Sequence, residues 1–189
     1  MSYHFTDDWF SRNIPEWRKH LAHLDGTRCR LLEIGSYEGR SALWMADHLL
    51  SHPESWLTCV DTWEYSDYGH GGGNRFDANV AVCPRGQRII KATGRSEDRL
   101  KTLWPGFDFA YIDGSHEARD VMADWVLTYP LMKPGALVCF DDYQWRNPYG
   151  QVRLGPKDAI DSILHLWADR IEVVQKGYQV WIRLCQTNE

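Results

Sequence analysis

Residues 29 to 50 constrain the fold more than any other stretch of the chain. Cys29 to Ile34 is a short, largely apolar run holding an acid at Glu33. It gives way to Gly35-Ser36-Tyr37-Glu38-Gly39, beyond which Ala42, Met45, Ala46, Leu49 and Leu50 fall on one face at a 3.6-residue period. This spells a strand, a tight turn and a helix. Such a turn stands at the carboxyl end of a parallel strand, where helix N–H groups and the positive dipole end meet an anionic group of a ligand. The glycine spacing excludes one familiar phosphate binder and argues against another. No Gly-Lys-Ser/Thr follows, so the turn is not a P-loop. The position where a dinucleotide fingerprint carries a second glycine, for close approach of a pyrophosphate, is occupied by Tyr37. Two glycines in a strand-turn-helix are also plain architecture, so the rest of the chain decides what the turn is for.

The same unit recurs down the chain. Trp56 to Val60 reads as a second strand ending at Asp61, and residues 88 to 93 as a third, followed by Gly94-Arg95-Ser96-Glu97 turning into a helix. Phe107 to Ile112 is a fourth strand, ending at Asp113-Gly114-Ser115-His116. Ala118, Val121, Met122, Trp125, Val126 and Tyr129 give the clearest helical spacing, which is expected to stop at Pro130. Ala136 to Phe140 is a fully apolar strand running into Asp141-Asp142. Pro156 opens another helix, and Ile171 to Leu184, turning at Lys176-Gly177, reads as a closing hairpin. Strands alternating with helices predict an α/β fold with a mostly parallel sheet, so the acids that end successive strands emerge along one edge. Ahead of it, residues 1 to 28 predict two short helices. Glu64 to Asn74, with Tyr65, Tyr68, His70 and three consecutive glycines, predicts a mobile loop and candidate lid ahead of a helix over 75–82. The chain is expected to form one domain, with 1–28 as an N-terminal helical extension and 64–86 as an insertion near the site.

Charge and cysteine usage narrow the partners. A formal charge of -5 with no basic run gives no support to a nucleic-acid backbone partner. No apolar run approaches the ~20 residues needed to cross a bilayer. The five cysteines are odd in number and lie mostly inside apolar runs, which reads as buried thiols in a reducing compartment, so a cytoplasmic protein is expected. A homo-oligomer is compatible with all of this, and the sequence leaves oligomeric state open.

With these pieces in order, the chain resembles the class I S-adenosylmethionine (SAM)-dependent methyltransferases, in particular short bacterial and viral ones. The resemblance is carried by Leu32-Glu33-Ile34-Gly35-Ser36-x-Glu38-Gly39-Arg40-Ser41, by Cys59-x-Asp61-Thr62-Trp63 and by Tyr111-Ile112-Asp113-Gly114-Ser115-His116, and spans residues 30 to 145. The core is also similar to that of catechol O-methyltransferase. The resemblance implies a Rossmann-like fold: seven strands, mostly parallel, helices on both faces and an antiparallel C-terminal hairpin. It implies that Gly35, Tyr37 and Ser41 hold the methionine end of SAM, that Asp61 takes the ribose, and that Ser96 and Glu97 face the adenine. Glu33, Ser36, Gly39, Thr62, Trp63 and Asp113 complete the cofactor-binding set. Asp61 could equally cap its strand, and Ser96 its helix.

By the same resemblance Asp113, Asp141 and Asp142 fall where the catechol enzyme holds Mg²⁺. Three carboxylates at neighbouring strand ends repel one another unless protonated or bridged by a cation, and oxygen ligands suit Mg²⁺. Consecutive Asp141 and Asp142 reach one ion only if the chain leaves the extended form at Asp142. His116 stands where that enzyme has a general-base lysine, so His116 and Asp113 are the expected catalytic residues. Opening the helix is the other role for His116. The implied activity is methyl transfer to a hydroxyl of a small molecule. The alternatives are a metal-independent methyltransferase of nitrogen, protein or nucleic acid, or a SAM-binding module without catalysis.

Overall fold

A computed structural model describes residues 2–64, 72–146 and 154–186. Its strands are β1 (Arg30–Ile34), β2 (Trp56–Asp61), β3 (Ile89–Thr93), β4 (Phe107–Ile112), β5 (Met132–Phe140), β6 (Ile171–Lys176) and β7 (Val180–Leu184). They form one sheet in the order β3-β2-β1-β4-β5-β7-β6. The pairs β1–β2, β1–β4, β2–β3 and β4–β5 are parallel, whereas β7 is antiparallel to both β5 and β6. The helices are α1 (Ile14–Leu21), α2 (Arg40–Leu49), α3 (Gly73–Val82), α4 (Ser96–Arg99), α5 (Ala118–Thr128) and α6 (Pro156–Leu166). This is the mostly parallel, seven-stranded, Rossmann-like sheet that the resemblance implied, with its antiparallel end.

The period-two geometry of the strands sends alternate side chains to opposite faces and so makes two cores. Leu31, Leu57, Cys59, Phe109, Tyr111, Cys139 and Trp181 pack on one side with residues of α1, α2 and α3. Leu32, Ile34, Val60, Ala110, Ile112, Val138 and Ile182 pack on the other with α5 and α6. Trp17 of α1 lies at the centre of the first core, fully buried. Its ring meets Phe10, Trp44, Phe109, Tyr111 and Trp181, with centroids 4.7 to 5.8 Å apart and near-perpendicular planes. Burying one such ring is worth about 1.5–3 kcal/mol, and the edge-to-face pairs add to it. Cys29, Cys59, Cys83 and Cys139 are buried free thiols, as their apolar settings predicted, while Cys185 is exposed. Among the described residues no helix is long and apolar enough to cross a membrane.

Three local readings change. β5 begins at Met132, four residues before the predicted Ala136, because Met132 already pairs with Phe107; Gly135 then turns through φ +78° and the register to β4 shifts between Phe107 and Phe109, so the N–H missing at Pro134 breaks no regular pairing. Pro130 does not end the helical path but sits inside a 3₁₀ turn, Tyr129–Leu131, at an early position where it has no N–H to satisfy. The N-terminal extension is one α-helix flanked by 3₁₀ turns at Ser11–Asn13 and Ala22–Leu24, rather than two helices. The predicted helix over 75–82 begins at Gly73, and the predicted mobile loop falls largely on 65–71, outside the described residues.

Candidate active site

Strand order reverses between β1 and β4, and the crevice at such a switch point is where open α/β sheets take their ligands. The turn after β1 is built to stay open there. Gly35 has φ +83°, and a Cβ on it would lie 1.9 Å from the Asp113 carbonyl oxygen at the end of β4. Only glycine lets the two strand ends come so close. Two acids then hold the turn from below and from the side. Fully buried Glu33 accepts hydrogen bonds from the hydroxyls of Ser36 (2.6 Å) and Ser41 and from the Cys59 thiol. Burial pushes its carboxyl up to about 7 against the pull of those donors. Asp61, ending β2, accepts from the backbone N–H groups of Ser36 and Tyr37 with one oxygen and from that of Trp63 with the other. Tyr37 and Trp63 both have positive φ, 48° and 49°, a conformation costing about 1–2 kcal/mol outside glycine. The Trp63 indole N–H closes the arrangement on the Tyr37 carbonyl at 2.8 Å.

At the end of β4 and β5 the acids cluster as the parallel register demands. The Tyr111 hydroxyl lies 2.8 Å from Asp113 Oδ2 and also contacts Asp141 Oδ2. A phenol carries one proton and donates once, so two carboxylate contacts leave the trio short of one positive charge or proton. Burial first, then mutual repulsion among the acids, raises the Asp113 and Asp141 carboxyls. The buried amide of Gln179 donates to Asp141, and the Trp17 indole N–H donates to the Gln179 carbonyl. Asp142 has φ 59° and so departs from the extended form, as sharing an ion with Asp141 would require. Its two oxygens face His116 Nε2 (2.8 Å) and accept from the Tyr178 hydroxyl (2.7 Å). The His116 ring stacks on Trp145 at 4.4 Å and 7°.

The donor set suits Mg²⁺ in kind: hard oxygens, a shortage of positive charge at Tyr111, and a bent backbone at Asp142. As positioned, these side chains are spent on hydrogen bonds. Among the described residues no group of three or more His, Cys, Asp or Glu is drawn together as a metal cage.

A cavity of about 690 Å³ joins both regions. Of the expected cofactor set, Gly35, Ser36, Tyr37, Ser41, Asp61, Thr62, Ser96, Glu97 and Asp113 line it, and so do His116, Asp141 and Asp142. Glu33, Gly39 and Trp63 do not. Glu33 lies beneath the turn, Gly39 supplies the left-handed residue (φ +86°) before α2, and the Trp63 ring packs on Phe76. The cavity also takes residues that the sequence reading passed over. Asp124 of α5 is buried, its carboxyl pushed up to about 6 by desolvation against the opposing pull of the nearby Ser96 side chain. A helical spacing marks it only as a polar position among core residues. Phe5, Asp7, Trp9, Phe10 and Arg12 come from the N-terminal segment. That segment is strapped across the site by Glu38, a buried acid of the glycine turn that accepts from Thr6 N–H and hydroxyl and pairs with Arg75 of α3 at 2.9 Å.

Comparison with known proteins agrees with this geometry. Residues 32–143 match the family model described as a methyltransferase domain. The O-methyltransferase from Bacillus cereus, solved with S-adenosylhomocysteine, superposes with a TM-score of 0.72 at 18% identity over 95% of this chain and 84% of that one. TomG from Streptomyces achromogenes, an O-methyltransferase of tomaymycin synthesis solved with SAM, gives 0.60 at 20% identity over 83% and 73%. MycE of the mycinamycin pathway, solved with Mg, S-adenosylhomocysteine and mycinamycin VI, gives 0.65 at 16% identity over 97% and 52%. An uncharacterized protein of Acanthamoeba polyphaga mimivirus is 42% identical over 45 residues, 24% of this chain and 20% of that relative's length. The chain belongs to the methyltransferase-domain family and has the fold of the class I SAM-dependent methyltransferases.

Proposed function

We propose that the protein transfers the methyl group of SAM to a hydroxyl of a small molecule, with Mg²⁺ held by Asp113, Asp141 and Asp142. The observation that carries this reading is one cavity lined both by the glycine turn with Asp61 and by the acid cluster with His116. In it, Gly35, Ser36, Tyr37, Ser41 and Thr62 take the methionine end of SAM and Asp61 the ribose. Ser96 and Glu97 take the adenine edge, with Asp124 beside them. The sulfonium then lies near the carboxylates, which favour its positive charge. His116, oriented by Asp142 through Nε2, is the base that takes the acceptor's proton as its oxygen attacks the methyl in line. When bound, Mg²⁺ supplies a Lewis acid that lowers the hydroxyl's pKa. The amide N–H of Gln179, whose carbonyl accepts from Trp17, and the hydroxyl of Tyr111 keep Asp141 in place.

The test is transfer of labelled methyl from SAM to a panel of hydroxylated acceptors. Asp141→Ala and EDTA are each expected to suppress turnover, and His116→Ala to lower it by ~10²–10⁴ near neutral pH. Turnover untouched by EDTA and Asp141→Ala overturns the metal, turnover untouched by His116→Ala overturns the base, and SAM binding without product on any acceptor overturns catalysis.

A further inference from the structure

The cavity's wall is rich in acids, and its positive side chains have partners with one exception. Arg40 donates to the Asp7 carbonyl, pairs with Asp8 at 3.3 Å and lies over Phe5. Arg95 pairs with Glu97 at 2.7 Å, and His116 with Asp142. Arg12 also lines the cavity, yet among the described residues it makes no hydrogen bond or ion pair. Its guanidinium lies 4.3 Å over the ring of Tyr178. Stacking fixes the plane of a guanidinium and leaves its N–H edge available, which is the arrangement that grips carboxylate or phosphate with two parallel hydrogen bonds. Arg12 is exposed, and the backbone that carries it is held. Arg12 sits in the 3₁₀ turn Ser11–Asn13, tied by Ser11 N–H to Asp8 and flanked by buried Phe10 and Asn13. The Tyr178 hydroxyl is fixed on Asp142.

The Tyr178 ring is therefore a ruler, with Arg12 over its face and the acid cluster at its hydroxyl end. A molecule that reaches from Arg12 to the acids is about one aromatic ring long, and the flat His116–Trp145 stack offers it a planar wall. We infer that Arg12 is an anion subsite in the acceptor half of the cavity, and that the acceptor is a small planar hydroxylated acid, bearing its carboxylate or phosphate-like group opposite the hydroxyl that is methylated. This rests on the reading of the cavity as a methyl-transfer site.

Matched probes test it. Calorimetric titration of 3,4-dihydroxybenzoate, 3,4-dihydroxyphenylphosphonate and catechol into protein loaded with S-adenosylhomocysteine and Mg²⁺ compares rings that differ only in the anionic group. At least one acid is expected to bind about tenfold or more tighter than catechol; which one it is tells carboxylate from phosphate. Arg12→Gln is expected to erase that advantage and Arg12→Lys to keep part of it, with cofactor affinity measured in each protein as the check on folding. Acids that bind no tighter than catechol or do not bind, or an advantage that survives Arg12→Gln, overturn the inference. An Arg12-dependent preference without methylated product leaves the anion subsite standing and removes the methyl-transfer reading. Methylated catechol without any preference for the acids does the reverse.

Discussion

Replacing Glu33 by Gln isolates the strain that one ionisable group places on the glycine turn after β1. Glu33 has no exposed surface, and three donors on Ser36, Ser41 and Cys59 do not compensate its burial, so its carboxyl is raised from the ordinary 4.5 to about 7. The folded state thus holds this proton more tightly than the unfolded chain does. Below pH 4.5 both states are protonated and the contribution to stability is complete; as pH rises to about 7 the contribution is lost, and above that the loss is constant. A change from 4.5 to about 7 corresponds to about 3 kcal/mol, at about 1.4 kcal/mol for each tenfold in proton affinity. Glutamine cannot titrate, so whatever Glu33→Gln costs in hydrogen bonding is the same at every pH. Urea unfolding of the cofactor-free proteins between about pH 4.5 and pH 8 should show the variant gaining on the wild type by about 3 kcal/mol across that window. Asp113 and Asp141 also raise the wild type's sensitivity to pH, but they are present in both proteins and cancel. Parallel stability profiles would refute the account of Glu33 as a buried acid working against its own charge.

Two further outcomes follow from the same geometry. Gly35→Ala places a Cβ 1.9 Å from the Asp113 carbonyl oxygen at a φ of +83°; beyond the ~1–2 kcal/mol of left-handed strain, the ends of β1 and β4 must separate, and titration should find cofactor binding abolished. Affinity kept within about threefold of the wild type would show that the turn is not held as described. Asp124→Asn removes a buried carboxyl raised from 3.8 to about 6. Thermal melts should show the variant gaining relative stability as pH rises through about 6, by about 2–3 kcal/mol in all, and no pH-dependent gain would mean that this carboxyl is not desolvated.

The parallel sheet was legible because apolar runs, glycine turns and helical spacings agree with one another from Arg30 to Phe140. The edge residues Asp61, Asp113 and Asp141 were legible for the same reason: register alone brings strand ends together. Side-chain purpose was harder to read. Glu33 sits in the motif like a ligand contact, but strand alternation turns it into the sheet, where it serves Ser36 and Ser41. Asp124 looks like any polar position of an amphipathic helix, and only the packing of α5 against the end of β4 buries it. Arg12 lies in a 3₁₀ turn that Phe10 precedes, and such a turn has no periodic signature. Nothing in the order of the chain announces that this turn meets Tyr178.

Gln179 has a consequence for the order in which the protein comes into being. Its carbonyl is held by Trp17, 162 positions earlier, and its amide holds Asp141, 38 positions earlier. β7, which follows it, inserts between β5 and β6 rather than adding to an edge. During synthesis, a chain that has emerged through β4 already possesses Gly35, Asp61 and Asp113, whereas Tyr178 and Gln179 arrive more than sixty residues later. The glycine-turn side of the cavity therefore depends on contacts available to the nascent chain, and the side at the acid cluster waits for the final hairpin to thread into place. Non-local closure of this kind is slow compared with local folding. The clustered carboxylates at the ends of β4 and β5 are thus kept from their final arrangement until nearly the whole chain is present.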